Sequence, residues 1–173
     1  MKTKLSPIII KTSAILFVVG MLAGALTYLN RSSTIQRHLP DDNAIPAHVA
    51  VAVISIVAVI TIQAWRNKRQ KSNIWLAPFT QHAWERLRDT ITLRPGVSFV
   101  GILRLVVAAP VTLFALFLFF RSGMQLTGMF DPNFVINGWG GPTAIGASLA
   151  HWMDGIVMFY AEVLVLSLVT VRR

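Results

Sequence analysis

Apolar residues along this chain are clumped rather than alternating. Four long runs stand apart, about 8–29, 47–65, 98–120 and 152–171, each near the ~20 residues an α-helix needs to cross ~30 Å of hydrocarbon. Ser6-Pro7 opens the first run well, because serine caps a helix and proline is tolerated in its first turn. The fourth run ends at Val171 and begins somewhere after Pro142; about 20 residues counted back from Arg172 mark Trp152–Val171 as its membrane part. Between the second and third runs, Phe79, Ala83, Leu87 and Ile91 recur every four residues with Trp84 beside them. Gln81, Glu85, Arg86, Arg88 and Asp89 take the remaining arc, so residues 79–92 predict a short amphipathic helix lying in the inner interface. Residues 121–142, with the turn signals "DPN" and "GWGGP", read as an outer loop whose Phe130, Phe134 and Trp139 suit headgroup level. An ordered outer cap touching another protein is the alternative for that loop. The predicted fold is an all-α integral membrane protein, a four-transmembrane-helix bundle forming one domain over residues 1–173.

Composition agrees with the pattern. Of 173 residues, 54% are hydrophobic and 13% charged, with a mean hydropathy of +0.61, against about 45–50% and about 25% in soluble domains. The net charge is +9, but its placement argues for topology rather than for nucleic acid. With the N-terminus inside, 12 of the 16 lysines and arginines lie on the inner side. Arg31, Arg37 and Arg121 lie outside, and Arg104 lies within the third span. This is the positive-inside distribution, and it predicts an N-in/C-in chain in a plasma (inner) membrane with both termini cytoplasmic. "RNKRQK" after the second span is sufficiently explained as an anchor to anionic headgroups. "MKTK", the apolar run and Ala23-Gly24-Ala25 resemble a cleavable signal peptide, but Lys11 interrupts the apolar region and favours a retained anchor. The absence of cysteine excludes disulfides, thiolate metal sites and a cysteine nucleophile.

The chemistry worth testing lies in the spans. Glu162 falls near the bilayer midplane, where a charged side chain costs about 2.5–3.5 kcal/mol on insertion scales. It is therefore expected to be protonated, inward-facing or paired. Ser148, His151, Gly155, Met158, Glu162, Val165 and Val169 form one seam in steps of three and four, with small residues that allow close approach. The third span has a matching seam of Gly101, Arg104, Ala108, Val111, Ala115 and Leu118. Arg104 lies ~9 Å and Glu162 ~14 Å from the inner edge, so an Arg104–Glu162 ion pair is predicted across the interface of spans 3 and 4. Its structural reading is glue that fixes register; its functional reading is a proton or ion relay. Pro110 predicts a kink, while Gly20 and Gly24 make a GxxxG that in a glycine-tolerant setting needs no more than chance.

His48 and His151 lie at one outer level on two helices and could ligate a haem between them, or with Asp154 a divalent metal. Interfacial histidines without such a role are commoner, so no cofactor is predicted. Nucleophile elbows, P-loops, HExxH and dinucleotide turns are missing, and an enzyme is not expected. The sequence is best explained as a non-enzymatic subunit or assembly factor of a larger membrane complex. Its partners would be the lipid bilayer and other membrane proteins, or a second copy of itself. The alternatives are a small proton- or ion-coupled transporter using Glu162 and Arg104, and a bis-histidine haem or quinone protein.

Overall fold

A computed structural model describes residues 4–37, 45–68, 75–92, 98–136 and 143–171. Among these residues the chain is all-helical. Helices α1 (Pro7–Leu29), α2 (Ile45–Lys68), α3 (Gln81–Ile91), α4 (Phe99–Gly128), α5 (Pro132–Val135) and α6 (Ala144–Val169) follow in order, with a 3-10 turn at Ala77–Phe79 before α3. Three of them, α1, α4 and α6, are long and apolar enough to cross a membrane, and α2 carries an apolar stretch at Val49–Ala58. This is the make-up of a membrane protein.

Local sequence explains the helix starts. Ser6, Thr80, Ser98 and Thr143 each accept a hydrogen bond from the backbone N–H three residues on, satisfying a donor that the first turn leaves open. Asp131 does the same for α5, accepting from the N–H of Asn133 at 2.9 Å. That turn is pinned to the segment after α1: the Asn133 side chain accepts from the N–H of Gln36 and donates to the carbonyl of Thr34. The "DPN" signal thus falls on a true turn, between α4 and α5.

Burial is inverted relative to a soluble protein. The buried apolar residues are mostly small, with Ala108, Ala115, Ala147 and Ala150 among them, while Leu22, Val53, Ile54, Val106 and Leu164 are exposed. Helices in lipid gain nothing by hiding leucine, so small residues collect where backbones meet. The tightest meeting is between α1 and α4. A Cβ built on Gly20 would fall on the carbonyl oxygen of Phe120, one on Gly24 on that of Met124, and one on Gly123 on that of Phe17. The Thr127 hydroxyl crosses the seam to donate to the carbonyl of Met21 at 2.7 Å. The GxxxG of α1 is therefore a contact motif, answered on α4 by Gly123 and Thr127. Residue numbers rise together along this seam, so α1 and α4 run parallel. α6 packs antiparallel on α4: Phe119 meets Phe159 and, further along α4, Met129 meets Ser148.

Two sequence boundaries move. α4 continues through Arg121–Gly128, which had read as the start of the outer loop, because glycine, serine and threonine are tolerated in a membrane helix and the first true breaker is Pro132. α6 begins at Ala144, before the Trp152–Val171 core. α3 forms close to its predicted position, but its packed face differs. Ala83 and Leu87 line the bundle side whereas Ile91 is exposed and Thr90 is buried. A row repeating every four residues turns about 40° per step on a helix of 3.6 residues per turn, so its fourth member has left the face.

Candidate functional site

α3 sits where α1 begins and α6 ends, and it is tied to both. The N–H of Ser6 donates to the carbonyl of Phe79 at 2.7 Å, and that of Gln81 to the carbonyl of Lys4 at 2.9 Å. On the other side Arg86 reaches the end of α6, its Nε donating to the carbonyl of Val171 at 3.0 Å and its Nη2 to those of Ser167 and Thr170 at 2.9 and 3.2 Å. The last carbonyls of a helix lack partners within it and carry partial negative charge, so a guanidinium there both caps and neutralises them. Thr90 completes the joint, accepting from the N–H of Val171 at 3.0 Å. Arg86 reads in the sequence as one charge on a solvated arc. Only the proximity of the end of α6, some 85 residues away, gives it this role.

Behind this clasp lies a cavity of about 370 Å³ bounded by α1, α3, α4 and α6. Phe119 and Phe159 line it and form an aromatic cluster with Phe79, with ring centroids 5.2–6.3 Å apart. Beyond Phe119 and Phe159 is a smaller space of about 220 Å³ beside Gly155. A Cβ on Gly155 would meet nothing within 4 Å. Trp75 closes on Tyr160 edge-on, and the Tyr160 hydroxyl donates to the Trp75 carbonyl at 3.1 Å.

The predicted Arg104–Glu162 ion pair is not formed. Among the described residues neither side chain has the other as partner; Arg104 is exposed, and Oε2 of Glu162 is buried with no hydrogen-bond partner. The reason is geometric. The contacts Phe119–Phe159 and Met129–Ser148 put Glu162 level with residues 115–116 of α4, some eleven residues or ~17 Å of helix rise from Arg104. The face of α6 that meets α3 and α4 also advances by Gly155, Phe159, Val163, Leu166 and Thr170, because a strict seven-residue repeat drifts about 20° per heptad on a straight helix. Glu162 is carried to the side of that face. Of the proposed packing seams, Ala108, Ala115 and Ser148 are buried, while Gly101 and Gly155 are partly exposed.

A polar contact does cross the interface of α4 and α6, made by different residues. Nη2 of Arg121 lies 3.2 Å from Nδ1 of His151. Extension of α4 to Gly128 carries Arg121 about 10 Å inside its C-terminal end, so it is an interhelical residue rather than a loop cation. An arginine can only donate, so Nδ1 accepts and Nε2 carries the proton of the neutral ring. A haem or metal on His151 would first have to displace Arg121 or change that tautomer. Asp154 lies one turn on, partly buried and with interactions of its own. The side chain of His48 lies outside the described residues. Among the described residues no group of three or more histidines and carboxylates is placed to hold a metal ion. The sequence signal for Arg121 was the absence of a helix breaker between Phe120 and Asp131.

No protein family, curated protein or solved structure matches this chain.

Proposed function

We propose that the chain is a four-span, N-in/C-in protein of a plasma (inner) membrane that acts as a non-enzymatic subunit or assembly factor of a larger membrane complex. The four-span reading is supported by direction. α1 and α4 run parallel, and the start of α1 and the end of α6 meet at the same helix, α3, so the number of crossings is even. α2, of 24 residues or about 36 Å, is then the returning span. In this arrangement α3 and the basic segments share the inner side, and α3 lies at the level of the inner interface.

The observation that carries the subunit reading is the state of α2. It packs on α6 and leaves Val49, Val53, Ile54, Ile56, Val57 and Ile60 exposed. Neighbouring positions such as Val53 and Ile54 point to different sides, so more than one face is uncovered. Meanwhile Arg86 and Thr90 of α3 and Arg121 and Thr127 of α4 join helix to helix, which makes the remainder a rigid support for a peripheral span. A partner helix on α2 fits this distribution. Photo-crosslinkers at Ile54 and Ile56, followed by blue native electrophoresis after mild solubilisation, test it. The expected result is a crosslinked assembly several times heavier than the 19.1 kDa chain. A free monomer with lipid adducts alone refutes it.

The buried, unpartnered Oε2 of Glu162 favours one second reading, a proton-coupled transporter working as a homo-oligomer. Proton flux in proteoliposomes that is unchanged by Glu162→Gln, or absent from wild type, eliminates it.

A further inference from the structure

We propose that Glu162 is the point at which a partner's membrane helix is registered against α6: its carboxylate pairs with a lysine or arginine that the partner brings into the apolar part of the bilayer. The inference rests on the subunit reading and names the chemistry of that partner. Glu162 lies seven residues, or ~10 Å of helix rise, before the C-terminal end of α6 at Val169. Side chains of an α-helix lean toward its N-terminus. This carboxyl therefore leans deeper into the apolar helix, not toward the headgroups at the Val169 end. A carboxylate at such a depth is costly unless it is paired.

Among the described residues the chain supplies no base to this acid. Oε2 is buried and unbonded; Oε1 is unbonded too, but it is not buried, so a side chain from outside can reach it. Arg104 lies some eleven residues, or ~17 Å of helix rise, from the level of Glu162. Arg121 is engaged by His151. A second copy in the same membrane keeps the same depths, so its Arg104 is no better placed. The surface beside the carboxylate is open to a helix. Ala161 and Val165, one position before and three after Glu162 on α6, are exposed, and Ala161 is small enough to let another backbone come close. A wholly apolar helix would cover this flank and leave the acid unmatched. A helix carrying a base matches it at one height only, and fixing register is the best-attested use of a buried charge.

The full-length chain is expressed in its own membrane with a photo-crosslinking residue in place of Val165. The expected adduct is with another protein, and the crosslinked peptide carries a lysine or arginine within an apolar run. Equal co-expression of untagged wild type with a tagged Glu162 variant, followed by blue native electrophoresis, reads how well each enters the assembly. Glu162→Leu should enter about three- to twentyfold less than wild type, the range of one interhelical polar bond in a membrane. Glu162→Gln, which keeps an acceptor, should lose less. Purified Glu162→Leu should unfold in sodium dodecyl sulfate no earlier than wild type, because the change breaks no bond within the chain. With wild type assembled, the inference is overturned if Glu162→Leu enters as well as wild type or unfolds earlier than it. It is overturned equally if the adduct joins a second copy of this chain, or if the partner peptide holds no base. If wild type enters no assembly, the subunit reading fails and this inference fails with it.

Discussion

Replacing one hydrogen by a methyl group at Gly20 should loosen the whole bundle, whereas the same change at Gly155 should tighten it. At Gly20 the new Cβ meets the backbone of Phe120 and the N–H of Met124 at 3.0 Å. Backbone cannot rotate away as a side chain can, so α1 and α4 must separate by on the order of 1 Å, and such overpacking costs about 1–3 kcal/mol. That separation would stretch the 2.7 Å bond from Thr127 to the Met21 carbonyl out of hydrogen-bonding range. Interhelical bonds of this kind are worth about 0.6–1.7 kcal/mol. Together the loss is about 2–5 kcal/mol. At Gly155 nothing lies within 4 Å of the added Cβ, so only the helix propensity changes, a gain of about 0.5–1 kcal/mol. Leu22→Ala, on the exposed side of α1, is the control and should stay within about 0.5 kcal/mol. Unfolding by sodium dodecyl sulfate, followed by tryptophan fluorescence in mixed micelles, measures all three. If Gly20→Ala unfolds no earlier than Leu22→Ala, or if Gly155→Ala costs as much as Gly20→Ala, then the glycine seam does not set the α1–α4 distance.

The remaining expectations concern the polar joints. Arg86→Ala removes a charge-assisted cap shared by three carbonyls and should cost about 2–3 kcal/mol; faster hydrogen exchange at Val169–Val171 would locate the damage at the end of α6. Arg86→Lys should restore little of it, because one ammonium cannot reproduce the guanidinium fork. Thr127→Val, nearly the same shape without the donor, should lose about 0.6–1.7 kcal/mol in the same unfolding assay. Arg104→Ala and Glu162→Gln should add within about 0.5 kcal/mol in the double mutant, as independent sites do. A larger coupling would mean that the two side chains meet after all. Arg121→Gln and His151→Ala, by contrast, should be non-additive by at least about 0.5 kcal/mol, since they share one contact.

Helix existence was legible because its signals are local. Runs of apolar residues near twenty in length, the serine-proline start of the first run, and a four-residue period before the third span each depend on neighbours within a few positions. They gave α1, α3, α4 and α6 as elements, the membrane character, and the Ser6-Pro7 start. Boundaries were less legible where membrane and water differ in what glycine, serine and threonine mean. "RSGMQLTG" reads as a loop by soluble rules and forms the last turns of α4.

Pairing was not legible, and the reason is depth and rotation. An error of a few residues in placing a helix along the membrane normal moves a side chain by more than an arginine can bridge, and a 3.5-residue template applied to a 3.6-residue helix turns it off the shared face. Both errors met at Arg104 and Glu162. The sequence by itself determined that an acid within the last apolar run, Glu162, would need accounting for. Tertiary structure alone decided that Arg121 meets His151, that Arg86 closes the end of α6, and that Gly20, Gly24 and Gly123 bring α1 against α4. Those outcomes depend on which helices lie side by side and at what height, quantities fixed by contact between segments 30 to 106 residues apart, where no local period reaches.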